Sequence, residues 1–129
     1  MQMKKRFFTV QEARQLLPSL KELMGKVMVI SHRLEEYREV VQQLADSASS
    51  NTGGPEGTAY LDIVISLQSC LTQLQETGCV LRSLQDGLID FPHLKEGREI
   101  YLCWKFGEED IRFWHEVDEG FAGRTPLLD

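Results

Sequence analysis

The sequence of 129 residues contains only three cysteines and no long apolar run. The cysteines, Cys70, Cys79 and Cys103, are odd in number and form no Cys-x-x-Cys pair, which argues against a disulfide framework and predicts reduced, partly buried thiols. No run approaches the roughly 20 apolar residues that a membrane span needs. Gln11 and Glu12 interrupt the apolar segment that a secretory signal would need. We therefore expect a cytoplasmic protein that does not enter a membrane.

Basic charge is scarce as well. The sequence has 14 Lys and Arg residues against 20 Asp and Glu residues, which gives a formal net charge of −6. Residues 1–85 hold nine acids and nine bases, whereas residues 86–129 hold eleven acids and five bases. A nucleic-acid backbone requires a basic surface, so we expect no nucleic-acid partner. The acidic C-terminal third suits a cation or a basic partner, or serves solubility alone.

Recognised catalytic signatures are missing. The chain has no Gly-x-Ser-x-Gly, His-Glu-x-x-His or Walker motif. Its glycine-rich stretch, residues 46–57 (DSASSNTGGPEG), lacks a following Lys-Ser/Thr pair and a preceding strand. We interpret this stretch as a flexible loop that joins two helices and not as a phosphate-binding loop.

Two segments have the apolar spacing of helices. Thr9 and Glu12 form a capping box at the start of a helix over residues 9–45, and Pro18 is expected to kink it or to separate its first two turns. The apolar residues of this first helix alternate steps of four and three, as in a coiled coil: Leu16, Leu20, Leu23, Val27, Ile30, Leu34, Tyr37, Val41 and Leu44.

A second helix is predicted over residues 58–77, with Thr58 as its cap and Gly78 as its end. At the usual rise per residue the two antiparallel helices measure about 54 Å and about 28 Å, so the second covers only half of the first. The apolar residues left uncovered (Leu16, Leu17, Leu20, Leu23 and Met24) need either the C-terminal region or a second subunit. We prefer a homodimer that forms through helix 1.

Beyond Gly78 the apolar period changes to two, which predicts strands in residues 79–117. Four strands are expected: Cys79–Leu84, Leu88–Phe91, Glu99–Phe106 and Ile111–Val117. Pro92 should end the second strand, and residues 118–129 form an irregular tail. The predicted fold is one α+β domain over residues 1–129, with a long antiparallel helical hairpin followed by a small four-stranded antiparallel sheet.

The register of the last predicted hairpin decides which side chains share a face. With Phe106 opposite Ile111, the apolar surface buried is greatest, and His115 lies on the face of Trp104. A one-residue bulge would instead bring Cys103 toward His115. We prefer the first register.

Several short motifs are distinctive: Asp90-Phe91-Pro92, Gly97 to Trp104 (GREIYLCW), Trp114-His115 and Gly120 to Arg124 (GFAGR), with Phe8 to Ala13 (FTVQEA) and Leu16-Leu17-Pro18 near the start. Together these motifs resemble a bacterial family known as domain of unknown function 2203. The resemblance covers nearly the whole chain. It implies a small cytosolic protein of one domain, and it brings no activity, cofactor, partner or catalytic residue.

The C-terminal third contains residue types that hold zinc or iron: His93 and His115, with Asp90, Glu116, Asp118 and Cys103. Their spacing matches no known ligand pattern. The metal candidates are His93, His115 and Asp118, and the alternative is that no cofactor is bound and His115 is a strand residue bonded to backbone. Asp90 either caps the Asp-Phe-Pro turn or forms an acid–base pair with His93.

Aromatic and arginine residues give two further candidates for binding. Trp104, Trp114 and Phe121 either border a ligand pocket or belong to the core. Arg98 and Arg124 either tie the tail to the sheet through Glu99, Asp118 or Glu119, or grip a carboxylate or phosphate. The candidate ligand-binding residues are Asp90, Arg98, Trp104, Trp114, His115, Asp118 and Arg124.

These observations favour a non-catalytic binding or assembly protein, dimeric through its helices, with a site on the sheet and tail. The alternative is a metal-dependent enzyme or metalloprotein that uses His115, His93 and nearby carboxylates. A third hypothesis is a sensor of small anions that uses Arg98 and Arg124.

Overall fold

A computed structural model describes residues 5–46 and 55–128 of the chain. The described residues form two helices and then a five-stranded antiparallel sheet whose strands follow the order of the sequence. The elements are α1 (Val10–Asp46), α2 (Pro55–Glu76), β1 (Val80–Ser83), β2 (Leu88–Lys95), β3 (Arg98–Lys105), β4 (Phe113–Glu116), a short 3₁₀ helix (Phe121–Gly123) and β5 (Thr125–Pro126). The α+β class is confirmed. The predicted number of four strands is wrong, because part of the tail pairs with β4 as a fifth strand.

The start of α1 is the predicted capping box. The Thr9 hydroxyl accepts a hydrogen bond from the Glu12 amide at 3.0 Å, and the Glu12 carboxylate accepts one from the Thr9 amide at 2.9 Å. The helix then continues through Pro18, so the predicted separate first segment is wrong. Pro18 itself is exposed, while Leu17 and Leu20 on the other side of the helix are buried in the core. Packing of the buried side against the core stabilises the turn in which Pro18 cannot donate a backbone hydrogen bond.

Helix α2 begins at Pro55, three residues before the predicted cap Thr58. Proline is favoured in the first turn of a helix, where an amide has no partner inside the helix. The predicted loop over residues 46–57 is therefore too long at its C-terminal end, and its residues 47–54 lie outside the described residues. Gly78 follows the helix with a φ of +93°, which confirms it as the C-terminal stop.

The apolar side of the first half of α1 is covered by the sheet of the same chain. Leu17, Leu20 and Met24 belong to one buried cluster with side chains of β2 and β3, among them Phe91 and Trp104. The predicted cover for these residues was a second subunit. The physical reason for a homodimer through helix 1 is therefore removed, and the C-terminal alternative is the one observed. The side chains of Val41 and Leu44, at the far end of the seam, lie outside the described side chains.

Strand β2 passes through Pro92 and ends at Lys95, so the prediction that Pro92 ends the strand is wrong. The Pro92 carbonyl accepts a hydrogen bond from the Phe8 amide at 2.7 Å. The carbonyl and the amide position of one residue point to the same edge of an antiparallel strand. The N–H that proline lacks would thus point toward the N-terminal segment and not toward β3. No hydrogen bond between β2 and β3 is therefore lost.

The pairing of β3 with β4 differs by one residue from the preferred prediction. Tyr101 lies opposite His115 and Leu102 opposite Trp114, whereas the predicted pairing of Phe106 with Ile111 would have placed Leu102 opposite His115. The difference arises because Ile111 lies before β4 and is completely buried in the core. The one-residue shift places His115 on the face of Cys103, as the alternative prediction expected.

Candidate binding site on the outer face of the sheet

Alternation along the strands gives the sheet two faces of different chemistry. Ile89 and Phe91 of β2 point into the core beneath the helices, so Asp90 between them points to the opposite face. Asp90 lies opposite Cys103 of β3, and Tyr101 of β3 lies opposite His115 of β4. Three adjacent strands therefore bring a carboxylate, a thiol and an imidazole to the outer face, away from the helices.

The Asp90 carboxylate divides its two oxygens between a histidine and an arginine. Its Oδ1 lies 2.9 Å from His115 Nε2, and its Oδ2 accepts a hydrogen bond from Arg82 Nε at 2.9 Å. His115 Nδ1 lies 2.7 Å from the Glu116 carbonyl oxygen. Asp90 is 2% exposed and His115 is 3% exposed, so water is nearly excluded from the pair.

These contacts limit where protons can lie. A carbonyl oxygen only accepts hydrogen bonds, so His115 Nδ1 carries a hydrogen. In a neutral imidazole Nε2 then has a lone pair, and it would face the lone pairs of Asp90 Oδ1. Two acceptors at 2.9 Å repel each other unless a positive particle lies between them. The pair must therefore hold a shared proton or a metal ion.

Cys103 completes the cluster. One ligand atom each from Asp90, Cys103 and His115 lies within 4.8 Å of the other two. Burial and, after it, the Asp90 carboxylate raise the pKa of the Cys103 thiol, and Arg124 lowers it in part, so that the pKa is about 11. The thiol is therefore protonated at neutral pH and is not an activated nucleophile.

A cavity of about 400 Å³ opens above this cluster. Its floor consists of Asp90, Cys103 and His115, and Arg82 lies at its side. The segment 117–121 that follows β4 forms its outer boundary. Within that segment Val117 and Phe121 are apolar, while Asp118 and Glu119 make the rim acidic.

Arg124 fastens the tail beside the cavity. Its guanidinium group lies between two aromatic rings, 4.2 Å from the centre of Phe113 and 4.5 Å from that of Phe121. It donates hydrogen bonds of 2.8 and 2.6 Å to the two carboxylate oxygens of Glu108, and one of 3.3 Å to the Cys103 carbonyl. Burial alone would raise the pKa of Glu108, but the hydrogen bonds from Arg124 lower it overall. This clamp fixes the outer boundary of the cavity to the sheet.

Three predicted ligand-binding residues, Asp90, His115 and Asp118, border the cavity together. Arg124 ties the tail to the sheet as one alternative expected, although its partner is Glu108 and not one of the predicted acids. Arg98 is paired with Glu116 at 2.6 Å and does not border the cavity.

Other predicted residues lie on the inner face. Trp104 is completely buried beneath the helices, and Trp114 packs against the same core, so neither borders the cavity. His93 Nδ1 lies 2.6 Å from the Phe8 carbonyl oxygen. His93 is three residues from Asp90 along β2 and therefore points to the other face, which excludes both the predicted Asp90–His93 pair and a metal site that joins His93 to His115.

Arg82 was absent from the prediction, and Cys103 was named among the residue types that hold zinc or iron but not among the candidate ligands. The signal for Cys103 was present in the alternative register of the last hairpin. Arg82 had no signal of its own, because its contact with Asp90 depends on how β1 pairs with β2.

The described residues thus define an α+β protein in which two helices cover one face of an antiparallel sheet and a buried polar cluster occupies the other. None of the described helices combines the length and the apolar character that crossing a membrane requires. The chain belongs to the family described as "Uncharacterized conserved protein (DUF2203)", whose sequence model matches residues 6–127. No curated protein and no solved structure matches the chain.

Proposed function

We propose that this protein is a non-catalytic binding module that takes a small ligand into the cavity between the outer face of the sheet and residues 117–121. The observation that carries the proposal is the buried group of Asp90, Cys103 and His115 on the cavity floor. Buried polar side chains are costly unless they have partners, and here they converge on a space that a ligand can enter.

The dimensions and the chemistry of the cavity limit the ligand. Its volume of about 400 Å³ lies near the lower end of the usual range of ligand sites, which favours a small molecule or an ion over a large ligand. Leu88, Val117 and Phe121 offer apolar contacts around the polar floor. Self-association is not part of the proposal, because the apolar stripe that suggested it is covered within the chain.

Binding is favoured over nucleophilic catalysis by the hydrogen bonds of His115. Asp90, His115 and Cys103 are the residue types of a cysteine–histidine–aspartate triad. In such a triad one ring nitrogen donates a hydrogen bond to the carboxylate and the other accepts the thiol proton. Here Nε2 faces Asp90 and Nδ1 faces a backbone carbonyl. No ring nitrogen remains to take the Cys103 proton, and the raised pKa of that thiol agrees with this geometry.

The proposal is tested by filling the cavity. Leu88→Trp places a large ring inside it, and Leu94→Trp makes the same change on the same strand at an exposed position outside it. Both variants and the unaltered protein are screened by thermal shift against divalent metal ions, amino acids and small carboxylates, and by native mass spectrometry after gentle purification. We expect at least one probe to stabilise the unaltered protein and Leu94→Trp but not Leu88→Trp. Equal responses in all three proteins, or no response in any, would overturn the proposal.

A further inference from the structure

We infer that the ligand of this cavity is a divalent transition metal ion such as Zn²⁺, held by Asp90 Oδ1, His115 Nε2 and Cys103 Sγ. This inference rests on the proposed function, since it names the ligand of the same site. It differs from the metal set expected from the sequence, because only His115 is common to both.

Two lone-pair atoms, one from His115 and one from Asp90, lie in contact at the site. His115 Nδ1 is committed to the Glu116 carbonyl, so Nε2 is the ring nitrogen that can bind a metal. It faces Asp90 Oδ1 at 2.9 Å, a position that requires a positive particle between the two atoms. A metal ion can take the place of the shared proton, with the same two atoms as its ligands.

The distances between the three ligand atoms are close to those of a zinc site. All three ligand atoms lie within 4.8 Å of one another. In a tetrahedral zinc site with ordinary bond lengths, the ligand atoms are separated by about 3.3–3.7 Å. Binding therefore requires movements of about 1 Å by the side chains of Cys103 and His115, while the three strands that carry them stay in place.

Hydrogen bonds from neighbouring groups orient the ligand side chains. Histidines that bind a metal usually donate their other N–H to a carbonyl or a carboxylate, which fixes the direction of the ring. The Glu116 carbonyl has this role for His115. Arg82 donates to Asp90 Oδ2 and so leaves Oδ1 as the oxygen that points to His115. Both ligand side chains are thus already oriented.

Charge also permits the exchange. With a shared proton, the cluster of Asp90, His115, the neutral Cys103 thiol and Arg82 carries one positive charge in sum. A divalent ion that displaces this proton and the thiol proton leaves the sum unchanged, so the buried site need not accommodate additional charge. The acidic rim residues Asp118 and Glu119 favour the approach of a cation.

The ligand types select the class of metal. A thiolate and an imidazole with one carboxylate suit zinc and related transition metals, whereas Mg²⁺ and Ca²⁺ prefer oxygen ligands alone. Three protein ligands leave one position of a tetrahedral ion open. That position faces the cavity, where water or a small molecule can complete the coordination.

The test uses Zn²⁺ and Co²⁺ with the full chain after treatment with a chelator. Calorimetry should give one Zn²⁺ per chain, with affinity at least about tenfold weaker in Cys103→Ser and in His115→Gln. Two matched controls, Cys79→Ser and His93→Gln, change the same residue types at buried or partly buried positions outside the site, and should stay within about twofold of the unaltered protein. Co²⁺ should give the absorption of a thiolate-bound tetrahedral ion, and this absorption should vanish in Cys103→Ser but not in Cys79→Ser.

Folding is checked by circular dichroism without metal. Should the site variants fail to fold, the thiolate-to-cobalt absorption of the unaltered protein, Cys70→Ser and Cys79→Ser still decides the question. Absence of Zn²⁺ binding by the unaltered protein, or equal binding by Cys103→Ser, overturns the inference. The proposed function stands in that case if an amino acid or carboxylate probe still stabilises Leu94→Trp but not Leu88→Trp, and it falls if no probe distinguishes them.

Discussion

His115 and Asp90 meet across the sheet from strands that are not neighbours, with β3 between them, and Nε2 lies 2.9 Å from Oδ1. Both side chains are almost completely buried although the helices cover the opposite face. Their cover comes from the tail, which Arg124 fastens to the sheet, and from Tyr101, whose ring centre is 5.6 Å from that of His115. Side chains are therefore buried on both faces of this small sheet. Those on the outer face are polar, whereas those beneath the helices are apolar.

The Arg124 clamp should contribute measurably to stability. Arg124→Ala removes two charged hydrogen bonds to Glu108 and the packing between Phe113 and Phe121, so we expect a loss of about 2–3 kcal/mol in the free energy of unfolding. Arg98→Ala is the matched control, because the Arg98 side chain is 58% exposed against 11% for Arg124, and its pair with Glu116 should be worth less than about 0.5 kcal/mol. Urea unfolding of both variants measures the difference, and equal losses would contradict the buried clamp.

The Cys103 thiol should be unreactive in the folded protein. With its pKa raised to about 11 from an ordinary 9.0, Cys103 holds roughly a hundredfold less thiolate at pH 8 than an unperturbed cysteine. A raised pKa disfavours the charged form, so reactivity should appear only as the pH approaches 11. Alkylation at pH 8 in the presence of a chelator, followed by peptide mass spectrometry, measures it. In urea the same residue should react rapidly, and equal rates in the two states would show that the thiol is not protected.

Much of the helical part could be predicted from the sequence, because its signals are local. The capping box of Thr9 and Glu12 and the stop at Gly78 depend on residues only a few positions apart, and all are observed. The predicted start of α2 is three residues late, because Thr58 is a good cap in isolation whereas the observed helix begins with Pro55 in its first turn.

The site could be predicted only in part, because it depends on pairings between distant residues. A shift of one residue between β3 and β4 moves His115 from the core face to the outer face, and the preferred register favoured apolar burial alone. In the observed register Ile111 lies before β4, and its side chain is nevertheless buried in the core. The predicted partners of Arg124 were wrong for the same reason. Its observed partner Glu108 lies in the turn after β3, and the position of that turn depends on the register of β3 with β4.

Gly87 should be the least replaceable glycine of the turns. Its φ is +69°, and a Cβ atom there would lie 2.7 Å from the Cβ of Phe106. Gly107→Ala is the matched control, since its φ is +105° but no atom lies within 4 Å of the added Cβ. We expect Gly107→Ala to cost about 1 kcal/mol from backbone strain and Gly87→Ala about 2 kcal/mol more, because Phe106 and its hydrogen bond to Gly87 must also move. Thermal or urea unfolding compares them, and a larger loss in Gly107→Ala would contradict the close contact.

The capping box should make the stability of α1 depend on pH at the acid end. Hydrogen bonds with Thr9, first from its backbone amide, lower the pKa of Glu12 below the ordinary 4.5. A carboxylate whose pKa is lower in the folded state stabilises the fold fully above its ordinary pKa, and this contribution is lost as the pH falls through the lowered value. Unaltered protein should therefore be more stable than Glu12→Gln at pH 7, and should lose this advantage as the pH falls through the lowered pKa of Glu12. Urea unfolding at pH 7 and at a series of acidic pH values measures it, with Glu22→Gln on the exposed side of the same helix as the control. A difference that stays the same over the whole series would show that the charge of Glu12 has no part in the cap.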